Sequence, residues 1–140
     1  MTRAELEARG IAAARKAHER AYSPYSGLRV GAALCDINGA IAIGCNVENA
    51  AYGSTVCAER GAVMAAVVAG IRAPVLLAIV TNGHTPVPPC GSCRQVLVEL
   101  APDVEIISVV GDEAGQRQER WRLTDLIPHA FLPSSLDTPT

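Results

Sequence analysis

Apolar and polar positions divide the first part of the chain into one helical and two strand-like segments. Over residues 2–20, apolar side chains recur on one side and charges fill the other, which predicts an amphipathic helix. Thr2 followed by Glu5 forms a capping-box pattern at its start. Apolar runs over residues 29–35 and 40–45, separated by an Asn-Gly turn signal, predict an antiparallel hairpin.

The second part of the chain alternates helical and strand-like runs. Residues 57–69 form a helical run that is apolar nearly all round, and Gly70 is a typical helix-ending residue. Nearly unbroken apolar runs over 75–81 and 105–110 predict strands covered on both faces, with a helix over 91–100 between them. This order predicts an α/β domain, with one mixed sheet and helices on both faces.

The remaining segments are predicted mainly as loops. Residues 46–55 and 82–89 are polar and turn-prone, without clear periodicity. Near the end of the chain, residues 119–123 predict a short strand, and Thr124 is positioned to cap a final helical turn. We expect residues 137–140 to be a disordered end.

Composition and charge exclude several classes of protein. The 140 residues suffice for one domain with a sizeable core, and 49% hydrophobic against 19% charged residues excludes a disordered chain. A net charge of −2 with scattered arginines gives no basic surface for a nucleic acid. The charged N-terminus lacks an apolar signal core, and no apolar run is long enough to span a bilayer. We therefore expect a cytoplasmic protein.

Five cysteines change this general picture. An odd number cannot pair completely within the chain, and closely spaced thiols in a cytosolic protein are more often metal-binding or catalytic than disulfide-bonded. Cys35 and Cys45 fall in strand-like runs, where they are expected to act as small buried apolar residues. Cys57, Cys90 and Cys93 remain to be explained.

The spacing of these three cysteines indicates a zinc site with an open position. Cys90 and Cys93 lie three residues apart at a predicted helix start, so both thiols can bind one ion, and Cys57 at the start of another helix can complete the set. Helix N-termini favour the thiolate form. Glu59 follows two residues after Cys57 and is placed to act on a zinc-bound water rather than on the metal.

Other interpretations of the same residues stay open on spacing alone. A Cys-Gly-Ser-Cys sequence between a strand and a helix is also the arrangement of a thiol–disulfide oxidoreductase. A closed structural zinc site could recruit Cys35 or Cys45 as a fourth ligand. Glu59 could simply be an acidic residue that interacts favourably with the helix dipole. The combination of Cys57-Ala58-Glu59 with the later cysteine pair favours a catalytic site.

Several motifs in order resemble those of the small homotetrameric cytidine deaminases of the three-cysteine zinc type. The resemblance covers about residues 21–99 and returns near the end of the chain. The segments that carry it are Tyr22-Ser23-Pro24-Tyr25-Ser26, Val30-Gly31-Ala32-Ala33-Leu34, Asn46-Val47-Glu48-Asn49-Ala50, Tyr52-Gly53, Cys57-Ala58-Glu59-Arg60, Cys90-Gly91-Ser92-Cys93-Arg94-Gln95-Val96 and Asp125-Leu126-Ile127-Pro128-His129-Ala130-Phe131.

The resemblance implies a fold, a reaction and a cofactor. The fold would be a three-layer α-β-α sandwich around a mixed five-stranded sheet. The reaction would be hydrolytic deamination of cytidine and 2′-deoxycytidine, with release of ammonia, as part of pyrimidine salvage. Cys57, Cys90 and Cys93 would hold one Zn²⁺ per subunit, and Glu59 would transfer the protons.

The resemblance also assigns residues to the substrate. Asn46 and Glu48 would hydrogen-bond the ribose hydroxyls, and the backbone around Ala58 would meet the pyrimidine edge. Phe131 would reach a base bound in a neighbouring subunit, and Tyr52 would lie at a subunit boundary of the homotetramer. Without the resemblance, these four side chains and this stretch of backbone would be interpreted as ordinary loop, helix and tail residues.

Two residues near the predicted site need separate comment. Leu28 stands where this family usually has phenylalanine. Leucine keeps an apolar wall but lacks the ring, and this loses about 0.5–1.5 kcal/mol of aromatic contact with the base. Three thiolates on Zn²⁺ leave a net negative cluster, and Arg60 could offset that charge. A solvent-facing helical arginine is an equally good interpretation of Arg60, and Arg94 is a weaker candidate for the same role.

Other functions remain as alternatives. The same scaffold could deaminate another aminated heterocycle such as blasticidin S, although the Asn46-Val47-Glu48-Asn49 segment favours a ribose-bearing substrate. Polynucleotide editing is disfavoured by the acidic chain, which lacks a basic and aromatic stripe. A thiol–disulfide oxidoreductase built on Cys90 and Cys93 and a non-catalytic zinc module are the candidates from other classes.

Overall fold

The computed structural model describes residues 1–136 and contains one five-stranded sheet with helices on both faces. The predicted behaviour of residues 137–140 lies outside the described residues. The strands are β1 Val30–Cys35, β2 Ile41–Cys45, β3 Leu76–Thr81, β4 Glu105–Val110 and β5 Arg117–Arg122. The helices are α1 Arg3–Glu19, α2 Ala58–Ala69, α3 Gly91–Leu100 and α4 Leu123–Leu126, with short 3₁₀ turns at Tyr52–Ser54 and Pro133–Leu136.

The sheet is mixed, as predicted. Its strand order is β2-β1-β3-β4-β5, in which β3 and β4 are parallel and the other neighbours are antiparallel. The C-terminal ends of β2, β3 and β4 therefore lie at the same end of the sheet as the start of β1. The loops that lead to α2 and α3 leave from this end, and this arrangement brings the two cysteine-bearing segments together.

Two apolar cores, one on each face, make the molecule a three-layer sandwich. Alternate residues of β1 serve both cores, because successive side chains of a strand point to opposite faces. Val30, Ala32 and Leu34 pack in the core beneath α2 and α3. Ala33 and Cys35 pack in the core beneath α1. Cys35 is fully buried as predicted, whereas Cys45 is only partly buried.

Two glycines of the hairpin allow helices to approach the sheet backbone directly. A methyl group at Gly44 would overlap with the backbone of Ala58 and Ala62 in α2. A methyl group at Gly31, on the opposite face, would overlap with the backbone of Ala14 in α1. Strand glycines are typical where another backbone comes this close. They lie on adjacent rungs of the β1–β2 pair.

The ends of most elements agree with the predictions. Thr2 and Glu5 form the predicted capping box of α1. Gly70 ends α2 in the left-handed conformation, with φ of 81°. The Asn-Gly turn exists, but only Gly39 has positive φ, and the Asp36 carboxylate accepts hydrogen bonds from two backbone N–H groups of the turn. Within residues 1–136, no helix is long and apolar enough to cross a membrane.

The region after β4 differs from its prediction. Strand β5 begins at Arg117, two residues earlier than predicted, and five of its six side chains are exposed. Thr124 does not cap the last helical turn, because α4 starts at Leu123 and Arg122 occupies the capping position without a side-chain hydrogen bond. Leu123 is fully buried, and this burial fixes where the chain turns from strand to helix.

Candidate functional site

The thiols of Cys57, Cys90 and Cys93 come together where α2 and α3 begin. Their sulfur atoms all lie within 4.8 Å of one another. The Cys57 and Cys90 sulfurs are 3.9 Å apart, and those of Cys90 and Cys93 are 3.3 Å apart. Cys93 is fully buried, Cys57 is partly buried and Cys90 is exposed. The cluster is therefore buried at Cys93 and exposed at Cys90.

Local backbone structure places these thiols. Cys57 and Cys90 are the N-cap residues of α2 and α3, and both have extended backbone conformations. Paired hydrogen bonds between Val47 and Val56 hold the segment that leads into Cys57. Ala58, the first residue of α2, is fully buried where the helix rests on β2. The first N–H groups of both helices lack intrahelical partners, and both helices begin at the thiol cluster.

The donor set fits zinc. A tetrahedral ion with Zn–S bonds of about 2.3 Å separates its sulfur ligands by roughly 3.8 Å, close to the spacings of these three thiols. Three protein ligands leave the fourth position free, as in catalytic zinc sites. Among residues 1–136, these three form the one group of metal-binding side chains so arranged. Cys35 lies in the opposite core and Cys45 also lies outside the group, so the interpretation as a closed four-cysteine site is wrong.

The pKa values of Cys57 and Cys93 are shifted in opposite directions. The pKa of Cys57 is lowered to about 5, chiefly because its sulfur accepts a hydrogen bond from the Cys93 thiol, and Arg60 and Cys90 add to the effect. The pKa of Cys93 is raised above its ordinary value, because its proton is shared with Cys57 and because the group is buried. The lowered pKa of Cys57 favours its thiolate form, which is the form that binds a metal.

Glu59 lies beside the thiol cluster, inside the protein. Its side chain is buried, with 5% exposure, and its Oε2 atom lies 3.6 Å from the Cys93 sulfur. Burial raises the pKa of the Glu59 carboxyl above its ordinary value. A first-turn glutamate that served only the helix dipole would not need to be buried, because that interaction is favourable at the surface. The position instead suits a group that takes up and releases protons.

Arg60 folds back over the cluster rather than facing solvent. Its guanidinium donates to the Thr55 carbonyl at 3.1 Å and lies 3.7 Å from the Cys57 sulfur. The pKa of Arg60 is raised, first because of the hydrogen bond to Cys57. Arg94 contacts backbone instead: it donates to the carbonyls of Pro89 at 2.7 Å and Leu126 at 2.9 Å. Arg94 thus ties the end of α4 to the loop before Cys90.

Asn46 and Glu48 follow β2 and hold the segment that enters β1. The Asn46 side chain is buried; it accepts from the Val30 N–H at 2.9 Å and donates to the Leu28 carbonyl at 2.8 Å. Oε1 of Glu48 accepts from the N–H groups of Tyr25 at 2.9 Å and Ser26 at 3.1 Å. Oε2 of Glu48 accepts from the Ser26 hydroxyl, and this contact is the main reason that its pKa is lowered.

Two residues that the sequence did not single out complete this arrangement. The Ser26 hydroxyl oxygen accepts from the Leu28 N–H at 3.0 Å while its hydrogen goes to Glu48. Asn82, which follows β3, accepts from the Arg29 N–H at 2.8 Å and donates to the Gly27 carbonyl at 3.2 Å. The available signal was weak, because Asn82 precedes a glycine in a loop and such pairs are typical of turns.

Tyr52 and Phe131 lie on the surface of the protein. They are 77% and 58% exposed, so neither side chain is buried in the core. The Tyr52 ring meets Tyr25 edge to face, with centroids 6.1 Å apart. The Phe131 carbonyl accepts from the Gln95 side chain at 2.8 Å, which anchors the backbone and leaves the ring free. The Phe131 side chain is therefore not buried against its own domain.

Comparisons with known proteins agree on one family. Residues 5–109 match the family described as "Cytidine and deoxycytidylate deaminase zinc-binding region". A cytidine deaminase of Halalkalibacterium halodurans is 44% identical over 123 residues, covering 87% of this chain and 91% of the relative. A probable cytidine deaminase of Dictyostelium discoideum is 40% identical over 137 residues, covering 97% of this chain and 90% of that protein.

Solved structures show the same fold. The crystal structure of a cytidine deaminase from Burkholderia pseudomallei superposes with a TM-score of 0.81 at 42% identity, covering 94% of this chain and all of that chain (100%). A cytidine deaminase from Mycobacterium tuberculosis gives a TM-score of 0.72 at 36% identity, covering 94% of this chain and 98% of the other. These likenesses confirm the predicted α/β sandwich.

Proposed function

We propose that this chain, which belongs to the cytidine and deoxycytidylate deaminase family, hydrolyses cytidine and 2′-deoxycytidine to the corresponding uridine nucleosides and ammonia. The observation that carries the proposal is the convergence of three thiols with the buried carboxylate of Glu59 at the starts of α2 and α3. Its cofactor is one Zn²⁺ held by Cys57, Cys90 and Cys93. A cytoplasmic role in pyrimidine salvage is part of the same proposal.

Glu59 moves the protons of this reaction. When bound, zinc supplies Lewis-acid chemistry that activates water for attack at neutral pH. Water oxygen adds to C4 of the base and the C4 amino group leaves as ammonia, so the ring must gain a proton before the C–N bond breaks. Glu59 accepts one proton from the attacking water and delivers it to N3. It then accepts the second proton from the hydroxyl added at C4 and gives it to the departing nitrogen, so that the C–N bond breaks and the C4 carbonyl forms. Its raised pKa and its burial suit a group that both accepts and donates.

Asn46 and Glu48 bind the sugar in this proposal. Three of roughly four acceptor positions on the Glu48 carboxylate are used by Tyr25 and Ser26, which leaves one for a hydroxyl donor. The Asn46 amide keeps one N–H after donating to Leu28, so the same hydroxyl can accept from it. Leu28 forms an apolar wall for the base, and the backbone at Ala58 meets the pyrimidine edge.

One assay tests the function directly. The purified chain is analysed for bound zinc, and cytidine loss is then followed by ultraviolet absorbance with and without a chelator. We expect zinc near one equivalent per chain and turnover that stops when the metal is removed. Cytosine, which lacks the sugar, and blasticidin S serve as comparison substrates. Preference for blasticidin S, or turnover unaffected by the loss of zinc, would refute the proposal.

The Arg60 guanidinium partly neutralises the thiolate cluster. Two helix N-termini share this task, so removing Arg60 should weaken the site without abolishing it. We expect Arg60→Ala to lower zinc affinity or activity by about tenfold or more, the usual effect of losing a group that hydrogen-bonds a metal ligand. Competition with a chromogenic chelator measures the affinity. Arg72→Ala, at the far end of α2, is the matched control, and equal values for both variants would dismiss the role.

We further propose a homotetramer in which neighbouring subunits complete each active site. The outer face of α2 supports this, because Met64, Val67 and Val68 are 55%, 44% and 90% exposed although apolar. An uncovered apolar face of this kind favours association. Exposure of Phe131 and Tyr52 supports the sharing of sites, since both rings are available to another subunit.

Mixed oligomers test this arrangement. Glu59→Gln and Phe131→Ala should each reduce activity when assayed separately. If Phe131 serves a neighbouring site, mixing the two variants under conditions of subunit exchange should restore part of the activity. Some sites then combine Glu59 of one subunit with Phe131 of its neighbour. Light scattering coupled to size exclusion reports the mass. An active monomer, or the absence of any restoration in verified mixed oligomers, would overturn the proposal.

A further inference from the structure

We infer that Asn82 is a positioning residue that extends β1 beyond the end of the sheet, so that Leu28 is held as the wall of the base site. The inference rests on the proposed function for the role of Leu28, and on hydrogen bonds alone for the extension. Asn82 is not a catalytic residue, because its side chain is committed to the backbone of the segment Gly27–Val30, which we name the wall segment.

Two asparagines take over the hydrogen-bond ladder on both sides of the wall segment. In a central strand, backbone groups alternate between the two neighbouring strands. Here Asn46, which follows β2, bonds the Leu28 carbonyl and the Val30 N–H. Asn82, which follows β3, bonds the Gly27 carbonyl and the Arg29 N–H. The alternation of β1 between β2 and β3 thus continues past the point where both neighbouring strands have ended.

The extension determines which way Leu28 faces. In an extended chain, residues two apart share a face, and Val30 packs in the core beneath α2 and α3. Leu28 therefore lies on the face that carries the thiols and Glu59. Its side chain is 39% exposed, and its Cδ1 atom lies 3.5 Å from the place where a Cβ on Gly83 would be. The segment that follows Asn82 thus also borders the Leu28 side chain.

Asn82 has a more limited task than its counterpart. Asn46 is buried and also serves the sugar in the proposed function, whereas Asn82 is exposed and holds only the wall segment. Exposed hydrogen bonds add little to global stability, because water replaces them when they are lost. Loss of Asn82 should therefore leave folding and the zinc site intact while loosening Gly27 and Arg29, the residues on either side of Leu28. The expected effect falls on substrate binding rather than on the chemical step.

Amide hydrogen exchange tests the extension without any need for activity. In Asn82→Ala, we expect the Arg29 amide to exchange about threefold to tenfold faster, the factor that corresponds to one net hydrogen bond. The Val30 amide, held by Asn46, should keep its rate. Asn38→Ala, at the opposite end of the hairpin, is the matched control and should change neither amide. An unchanged Arg29 rate in Asn82→Ala would overturn the extension.

Steady-state kinetics test the positioning. Asn82→Ala should raise KM for cytidine about threefold to tenfold with kcat within about twofold of the parent. Asn82→Asp keeps the acceptor for the Arg29 N–H, the shorter of the two bonds, and should retain most of the parent KM. If Asn82 acts through Leu28, its effect on KM should nearly vanish in a Leu28→Ala background.

The possible failures are distinguishable. A parent enzyme that does not deaminate cytidine would overturn the proposed function and the role assigned to Leu28, while amide exchange would still decide the extension. Faster exchange at Arg29 with unchanged KM in Asn82→Ala would overturn the positioning role alone. Additive effects of Asn82→Ala and Leu28→Ala, or a fall confined to kcat, would also overturn it.

Discussion

Glu59→Gln is expected to lower kcat for cytidine by at least about 10²- to 10⁴-fold, the usual contribution of a positioned general acid–base group. Glutamine keeps the shape of the side chain and cannot take up or deliver protons. Within residues 1–136, the metal-binding group holds only thiols, so it supplies no carboxylate in place of Glu59. Stopped-flow or steady-state absorbance at saturating cytidine measures the change.

The interpretation of that result depends on zinc and fold remaining intact. Zinc content by elemental analysis should stay near that of the parent, because Glu59 is not one of the three ligands. Removing a buried carboxylate of raised pKa should not destabilise the protein at neutral pH, since its charged form is disfavoured there. Glu99→Gln, an exposed change on α3, is the control. Normal turnover by a zinc-loaded Glu59→Gln enzyme would contradict the proton-transfer role.

Cys93→Ala is expected to abolish stoichiometric zinc binding and, with it, cytidine deamination. Cys93 is the fully buried ligand, and its removal leaves only the partly buried Cys57 and the exposed Cys90. Two thiolates are fewer than the three protein ligands of a catalytic zinc site. Because a metal bound only to the native state stabilises it, the variant should also unfold at a lower temperature than the zinc-loaded parent.

Thermal unfolding with and without a chelator separates metal loss from packing loss. The chelator should lower the Tm of the parent and leave that of Cys93→Ala nearly unchanged, because the variant has no metal to lose. Cys45→Ala is the matched control, since this thiol is partly buried and lies outside the metal-binding group. Full zinc occupancy in Cys93→Ala, or loss of zinc in Cys45→Ala, would refute the proposed ligand set.

Helices and buried strands were predictable because their signals are local. The limits of α3 and β4 coincide with those expected from apolar periodicity and from the Gly and Pro residues around them. Strand β5 carries no such signal, because its residues Arg117–Arg122 are mostly charged and exposed. Its antiparallel pairing with β4, from which only a short turn separates it, makes it a strand. The hydrophobic pattern of residues 117–122 does not by itself show this pairing.

The residues of the site also differ in whether their roles could be predicted from local sequence. Cys57, Glu59, Cys90 and Cys93 could be identified because metal ligands and proton carriers have characteristic spacings. Asn82 could not, because its contacts reach Gly27 and Arg29, more than fifty residues earlier. Arg60 lay between these cases: its position beside the cysteine was visible, and only the structure shows the guanidinium turned toward the Cys57 sulfur.

The two hairpin glycines have a consequence for how the enzyme can change over time. Because α2 contacts the main chain at Gly44 and α1 contacts it at Gly31, backbone contacts and not side chains set the distance of each helix from the sheet. Side chains elsewhere in either core can change in volume without moving Cys57 and Glu59 along this direction. Substitutions in the cores therefore leave the distance between the reaction centre and the sheet unchanged, provided that residues 31 and 44 remain glycine.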